Sequence, residues 1–275
     1  MKRTPPFFRI LLMAAATASL LALSACGDDE DDANKLIAEN KPVDELYDKA
    51  FTTFNQNKYK PAIEQFEEVD RQHPSSEWAA HAQVMSAYSA YRAGQYDDAV
   101  VILNRFVKLH PTHPSTPYAY YLIALCEYTQ ISDVGRDQKK TEDARTALKD
   151  VIARYPDSDY AKDASVKLDL TTDHLAGKEM EIGRYYLKHK DFISAIGRFK
   201  YVIDHYQTTS HIPEALHRLV ECYLRLGVPE EAKKYAAVLG YNYPGSDWYQ
   251  YSYAMIKGNL SPEEKNSTFD RYLKF

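Results

Sequence analysis

One register, repeated five times, constrains this chain more than any other feature. An aromatic residue or a stand-in is followed three positions later by alanine: Tyr59/Ala62, Tyr96/Ala99, Thr141/Ala144, Phe192/Ala195 and Pro229/Ala232. Twelve residues after each alanine come Pro74, Pro111, Pro156, Gln207 and Pro244. Four residues after each come Phe66, Leu103, Leu148, Phe199 and Ala236. Ala50 lies twelve before Ala62, and Gly94 five before Ala99. Units of this size cannot bury an apolar face alone. They must stack on neighbours of the same kind.

Within the register the apolar period is helical. Val43, Leu46, Tyr47, Ala50, Phe51 and Phe54 fall at i, +3, +4, +7, +8 and +11, and Tyr96 to Val107 and Phe192 to Ile203 repeat the pattern. Small residues where paired helices cross, an aromatic wedge, and a proline that cannot extend the second helix make up the tetratricopeptide pattern. The sequence therefore predicts an all-α fold, a right-handed superhelical solenoid of five degenerate helix-turn-helix repeats with a short C-terminal helix.

Alanine-to-alanine spacings are 37, 45, 51 and 37, against a nominal repeat of about 34. The 45 is read as a loop insertion in repeat 3, because Ile131 to Lys140 is polar and contains Gly135. No proline occurs between Ser158 and His189, where Gly177 and Gly183 are the only breakers, so the 51 is read as a lengthened or bent first helix of repeat 4. The repeats are expected over 43–256 and a helical extension over 257–275. Ser261-Pro262-Glu263-Glu264 supplies a capping box with proline at the first helical position.

The first 42 residues have another character. A basic segment with Lys2, Arg3 and Arg9 precedes an uncharged apolar run from Ile10 to Leu23, which is signal-peptide length and short for a spanning helix. The run ends in Leu23-Ser24-Ala25-Cys26, which resembles the bacterial lipobox. That resemblance implies cleavage after residue 25 and a diacylglycerol and an N-acyl chain on Cys26. An ordinary cleaved signal is the alternative, disfavoured because the box lies where the apolar run stops. Gly27 in place of Asp leans towards the outer membrane. Five consecutive acids, Asp28 to Asp32, cannot pack, so 26–42 reads as a lipidated cysteine on a solvated tether. Without the three cations of residues 1–25, the rest carries 31 basic against 39 acidic residues, net -8. An acidic body without a basic patch argues against a nucleic-acid partner. Cys126 and Cys222 sit in helical patterns of different repeats, and buried free thiols are expected; a bridge would need them close together.

No G-x-S-x-G, H-E-x-x-H, glycine-rich phosphate loop or paired-cysteine metal site occurs, so no enzyme, cofactor or metal is expected. His110 and His113 fall in one inter-repeat turn, and His205, His211 and His217 straddle another. First helices of such solenoids line the concave side, which suits an extended or helical peptide. The alanine register places Asp44, Tyr47, Phe51 and Asn55 on that side in repeat 1, and His81, Val84, Tyr88 and Arg92 in repeat 2. Aromatics beside Arg92 suit an aromatic-rich peptide whose carboxylate pairs with the guanidinium. Tyr47 and Phe51 also fit the core stripe, and Arg92 also fits a solvated cation at a helix C-terminus.

Taken together, the lipobox, acidic tether and five repeats resemble the BamD family of outer-membrane β-barrel assembly lipoproteins. Cys126-Glu127-Tyr128 through Ile131 to Gln138, then Ala153 to Ser158 and Ala215 to Gly227, are similar to alphaproteobacterial members. The resemblance covers essentially the whole chain. It implies a non-catalytic scaffold in the BAM complex, anchored at the periplasmic face of the outer membrane. In the family, N-terminal repeats recognise the C-terminal signals of unfolded barrel proteins, and C-terminal repeats dock BamA beside the other BAM subunits. It also implies a BamA-linked arginine on the second helix of repeat 4, where Arg198 stands. Gln207 in place of proline and the stretch from Trp248 to Phe275 depart from the core motif. A lipoprotein scaffold for pilus or other envelope assembly would share anchor and fold and differ in partner.

Overall fold

The computed structural model describes residues 41–258. The signal segment, Cys26, the acidic tether and the Ser261 capping box lie outside the described residues. Among the described residues eleven helices follow one another in antiparallel pairs. Repeat 1 is α1 (Val43–Asn55) and α2 (Tyr59–Gln72), and repeat 2 is α3 (Glu77–Arg92) and α4 (Tyr96–Leu109). Repeat 3 is α5 (Thr116–Thr129) and α6 (Lys139–Arg154), and repeat 4 is α7 (Asp159–Lys188) and α8 (Phe192–His205). Repeat 5 is α9 (Ile212–Arg225) and α10 (Pro229–Asn242), followed by α11 (Asp247–Ile256). Each helix packs chiefly on its neighbours in sequence, as a solenoid requires.

The register explains the packing. All five alanines are fully buried, as are Phe66, Leu103, Leu148 and Phe199. Twelve residues before the alanines, on the first helices, stand Ala50, Ala87, Gly183 and Val220, each buried. At Gly183 the approach is so close that a Cβ would lie 2.5 Å from the Phe199 ring. Five residues before the alanines, Asn57, Gly94, Lys190 and Gly227 take positive φ (59°, 76°, 63° and 74°) and turn the chain between paired helices. Repeat 3 has its nine-residue loop there instead. The prolines stand two residues beyond the ends of α2, α4, α6 and α10. Ser76, Ser158 and Ser246 then cap α3, α7 and α11 by accepting the N–H of Ala79, Ala161 and Tyr249. Helices α5 and α9 start with proline in the first turn and no side-chain cap.

Two features depart from a regular array. Helix α7 runs unbroken for 30 residues, about 45 Å, so Gly177 and Gly183 do not interrupt it. Both stand in buried contacts that need small residues. The N-terminal half of α7 shares a core with repeat 3 through Ala164 and Leu168, and the C-terminal half shares one with α8 and α9 through Leu175, Met180 and Leu187. The polar insertion folds against this helix, with Lys178 Nζ donating to the Gly135 carbonyl at 3.1 Å.

The stretch 247–256, counted above with the repeats, is instead a single added helix that closes the stack. It packs on α9 and α10, with His217 Nδ1 2.8 Å from Ser252 Oγ and the Arg218 guanidinium 5.6 Å from the Trp248 ring centre. Of the histidines assigned to the nearby turn, His217 is therefore a core residue. Around it a buried ionic chain runs from Arg184 through Glu214, Arg218 and Glu221 to Arg225, with contacts of 2.8–3.3 Å. Cys126 and Cys222 are buried free thiols, and burial pushes both up to about 12. No helix of the described residues is long and apolar enough to cross a membrane.

Candidate peptide-binding face

The positions singled out on the first helices fall into three places. Tyr47 and Phe51, one turn apart on α1, stack at 6.4 Å, and Tyr47 also meets Trp78 of α3 at 4.7 Å and Phe66 at 5.5 Å. Phe51 is 43% exposed and Trp78 41%, so Phe51 is a surface ring and not a core residue. Tyr47 is half-buried between core and surface, and the same burial, with Asp48 beside it, raises its phenol.

Three turns along α3, Tyr88 and Arg92 form the second group. The Arg92 guanidinium lies 4.8 Å from the Tyr59 ring centre and 5.9 Å from that of Tyr88, and it donates to both phenol oxygens. Phe54 packs on Tyr59 at 5.5 Å and on Tyr88 at 5.6 Å. Arg92 is therefore no freely solvated helix-end cation: it sits near two aromatic rings and bonds both phenols while its side chain stays exposed.

His81 goes elsewhere. It lies about 16 Å from Arg92 along α3, edge-on to His113 at 5.2 Å, with His110 6.3 Å from His113. Burial and the two neighbouring imidazoles lower His113. No group of three metal-binding side chains is assembled among the described residues. Val84 is buried, and Asp44 and Asn55 are exposed on α1.

From Tyr88 the rings continue across the stack. Tyr88 meets Tyr118 of α5 at 6.5 Å, Tyr118 meets Tyr160 of α7 at 5.8 Å, and Tyr160 meets Tyr121 at 5.2 Å. Tyr121 donates to Asp163, which also pairs with Lys167, and these two partners hold the Asp163 carboxyl below the usual range. Phe54, Tyr88, Tyr118 and Tyr160 thus join the first helices of four successive repeats in one aromatic line. Residue reasoning missed Phe54, Tyr118 and Tyr160 because each also fits a core stripe. It missed Tyr59 because its place in the register marked it as a wedge.

At the other end of the stack, Arg198 on α8 is not a free cation. It pairs with Glu179 of α7 at 2.9 Å while keeping 43% of its side chain exposed. Beside it the exposed side of α8 carries Ile193 and Tyr201.

Comparison with known proteins gives a consistent answer. The family described as "Outer membrane lipoprotein" matches residues 39–239. The outer membrane protein assembly factor BamD of Rickettsia prowazekii is 48% identical, over 90% of this chain and 96% of that protein. The BamD of Caulobacter vibrioides is 50% identical over 82% of this chain and 73% of that protein. The BamD of Neisseria meningitidis serogroup A is 34% identical over 84% and 91%.

Proposed function

The chain belongs to the BamD family of outer-membrane lipoproteins, and on that premise we propose that it is a non-catalytic scaffold of the outer-membrane β-barrel assembly machinery. Identity of 48% over nearly the full length of a named assembly factor carries this reading. The protein is held at the periplasmic face of the outer membrane by acyl chains on Cys26. A diacylglycerol adds about 0.8 kcal/mol for every CH₂ it buries.

The aromatic line and Arg92 gather the aromatic C-terminal segment of an unfolded barrel protein. Rings receive the substrate's aromatic side chains, and the exposed Arg92 guanidinium takes its terminal carboxylate. Tyr47, Phe51 and the exposed Asn55 on repeat 1, with Trp78 at the start of repeat 2, extend this surface, while His81 lies outside it. Repeats 4 and 5 dock BamA, with Arg198 at the contact and Glu179 as its resting partner. The mechanism is positional: both partners are brought to one scaffold.

The test is co-purification from native outer membranes in mild detergent, with mass spectrometry of what accompanies the tagged chain. A large β-barrel protein with repeated periplasmic domains is expected. Recovery of pilus or peptidoglycan proteins in its place would overturn the reading. Arg198→Glu is expected to cut the barrel protein's recovery roughly tenfold, less than the about 2–5 kcal/mol lost at a fully buried charge pair, because Arg198 keeps 43% of its side chain exposed. Combining it with Glu179→Arg restores the internal pair, so a recovery that returns with the double swap would make Arg198 a purely internal contact.

A further inference from the structure

The turn between repeats 2 and 3 departs from the other proline turns of the stack. Two residues after Pro74, Pro156 and Pro244 stand Ser76, Ser158 and Ser246, and each caps the helix that follows. Two residues after Pro111 stands His113. Its backbone plays the serine's part: the His113 N–H donates to the His110 carbonyl at 3.2 Å, as the Ser76 N–H donates to that of His73 at 3.0 Å. Its side chain does the same. Ser115, the residue before α5, caps that helix with no side chain of its own, and its N–H donates to His113 Nδ1 at 3.1 Å. The His113 carbonyl takes the Thr116 N–H at 2.9 Å, and Pro117 has none to offer. One residue thus accepts the N–H groups of both Ser115 and Thr116 at the start of α5.

A serine hydroxyl does not titrate near neutral pH, and an imidazole does. A backbone N–H can only donate, so Nδ1 carries the lone pair and the proton of the neutral ring lies on Nε2. A second proton would go to Nδ1 and face the Ser115 N–H, donor against donor. It would also put a cation at a helix N-terminus, where the dipole disfavours it. The surroundings add to the cost. His81 from α3 lies edge-on at 5.2 Å and His110, just beyond α4, at 6.3 Å, with the Phe106 ring at 5.5 Å. Burial first, then these two imidazoles, hold His113 below the ordinary histidine value, with Glu77 of α3 opposing them. A recess of ≈ 530 Å³ lined by Glu77, His81 and His110 gives a displaced ring room beside a carboxylate.

The turn that His113 holds carries Tyr118, whose ring joins Tyr88 to Tyr160 in the aromatic line. We propose that His113 is a proton-sensitive latch: protonation at Nδ1 frees the first turn of α5, so that the aromatic line is whole at neutral pH and interrupted at Tyr118 in acid. Folding favours the neutral ring. The latch's contribution to stability is therefore complete above about pH 6.5 and is lost as the pH falls through the lower folded-state value. The consequence for substrate capture rests on the proposed peptide-binding face; the latch does not.

The test is amide hydrogen exchange, read by mass spectrometry on the full chain in mild detergent between about pH 7.5 and about pH 5 and corrected for the intrinsic pH dependence of exchange. Peptides over 115–122 are expected to lose protection roughly fivefold or more at the lower pH, while α6, which has no histidine, keeps its own. His113→Asn offers an amide oxygen as acceptor and cannot titrate, so it should abolish the loss. His81→Gln, at an exposed position, removes one repelling imidazole and should move the midpoint of the loss to higher pH. Unchanged protection in the parent chain, an equal loss in α6, a loss that persists in His113→Asn, or a midpoint unmoved by His81→Gln would overturn the proposal. Exchange reads the α5 turn itself, so a failure of peptide capture would show separately.

Discussion

A methyl group at position 183 would overlap the Phe199 ring, which is itself fully buried among Leu175, Met180 and Val202. Gly183→Ala must therefore displace a ring with nowhere to go. Overpacking of this kind costs about 1–3 kcal/mol, against about 0.5–1 kcal/mol regained from replacing glycine inside a helix. A net loss of about 1 kcal/mol or more is expected in urea unfolding, and an unchanged midpoint would show that the ring relaxes freely. The two thiols give a second expectation. With both pushed up to about 12, neither Cys126 nor Cys222 should be alkylated at pH 8 until denaturant is added. Because folding raises their pKa, their contribution is whole below pH 9 and is lost as the pH climbs towards 12. Residues with one job were legible in the sequence: the alanines, the wedge phenylalanines and the buried cysteines. Those with two were not. Tyr59 is both a helix-starting wedge and a plate under Arg92, and a spacing rule reports only the first. Phe51 fits the core stripe by period and yet lies on the first helix of the described residues, with its ring 43% exposed among them.

At the level of helices, the tight turns carry the clearest expectation. Repeats 2 and 5 use Gly94 and Gly227 to turn between paired helices, whereas repeat 4 uses Lys190 at φ 63°. A side chain in the left-handed region costs about 1–2 kcal/mol relative to an unstrained conformation. Lys190→Gly, with its exposed side chain and no packing to lose, is expected to raise stability by up to about 1 kcal/mol in the same urea assay. The uneven spacings were read correctly as a loop in repeat 3 and a long first helix in repeat 4, since a polar glycine-containing stretch and a proline-free one differ in composition. What glycine would do inside that long helix was not legible. Gly177 and Gly183 look like breakers in sequence, but close approach by His211 and Phe199 gives them packing roles. Likewise 247–256 carried a helical stretch whose partner, the buried face of α9 with His217 and Arg218, is known only once the chain is stacked.

For the molecule as a whole, an array held by nearest-neighbour contacts is only as firm as its ends. Ending the chain before Asp247 would strip Ser252 from His217 and Trp248 from Arg218, leaving the ionic chain of α9 open to water. Such a truncation is expected to lower the melting temperature by several degrees. It should also speed amide exchange in α9 and α10 while sparing α1 to α4; equal exchange throughout would mean that the array unfolds as one unit. Helix α7 then has a consequence for the whole. It is a member of two cores at once, repeat 3 at its start and repeats 4 and 5 at its finish, with no joint between. A beam built into the masonry at both ends cannot pivot, and it passes on any torque applied at either support. A load taken up by repeat 3 is thus delivered, by stiffness alone, to the core that α7 shares with repeats 4 and 5.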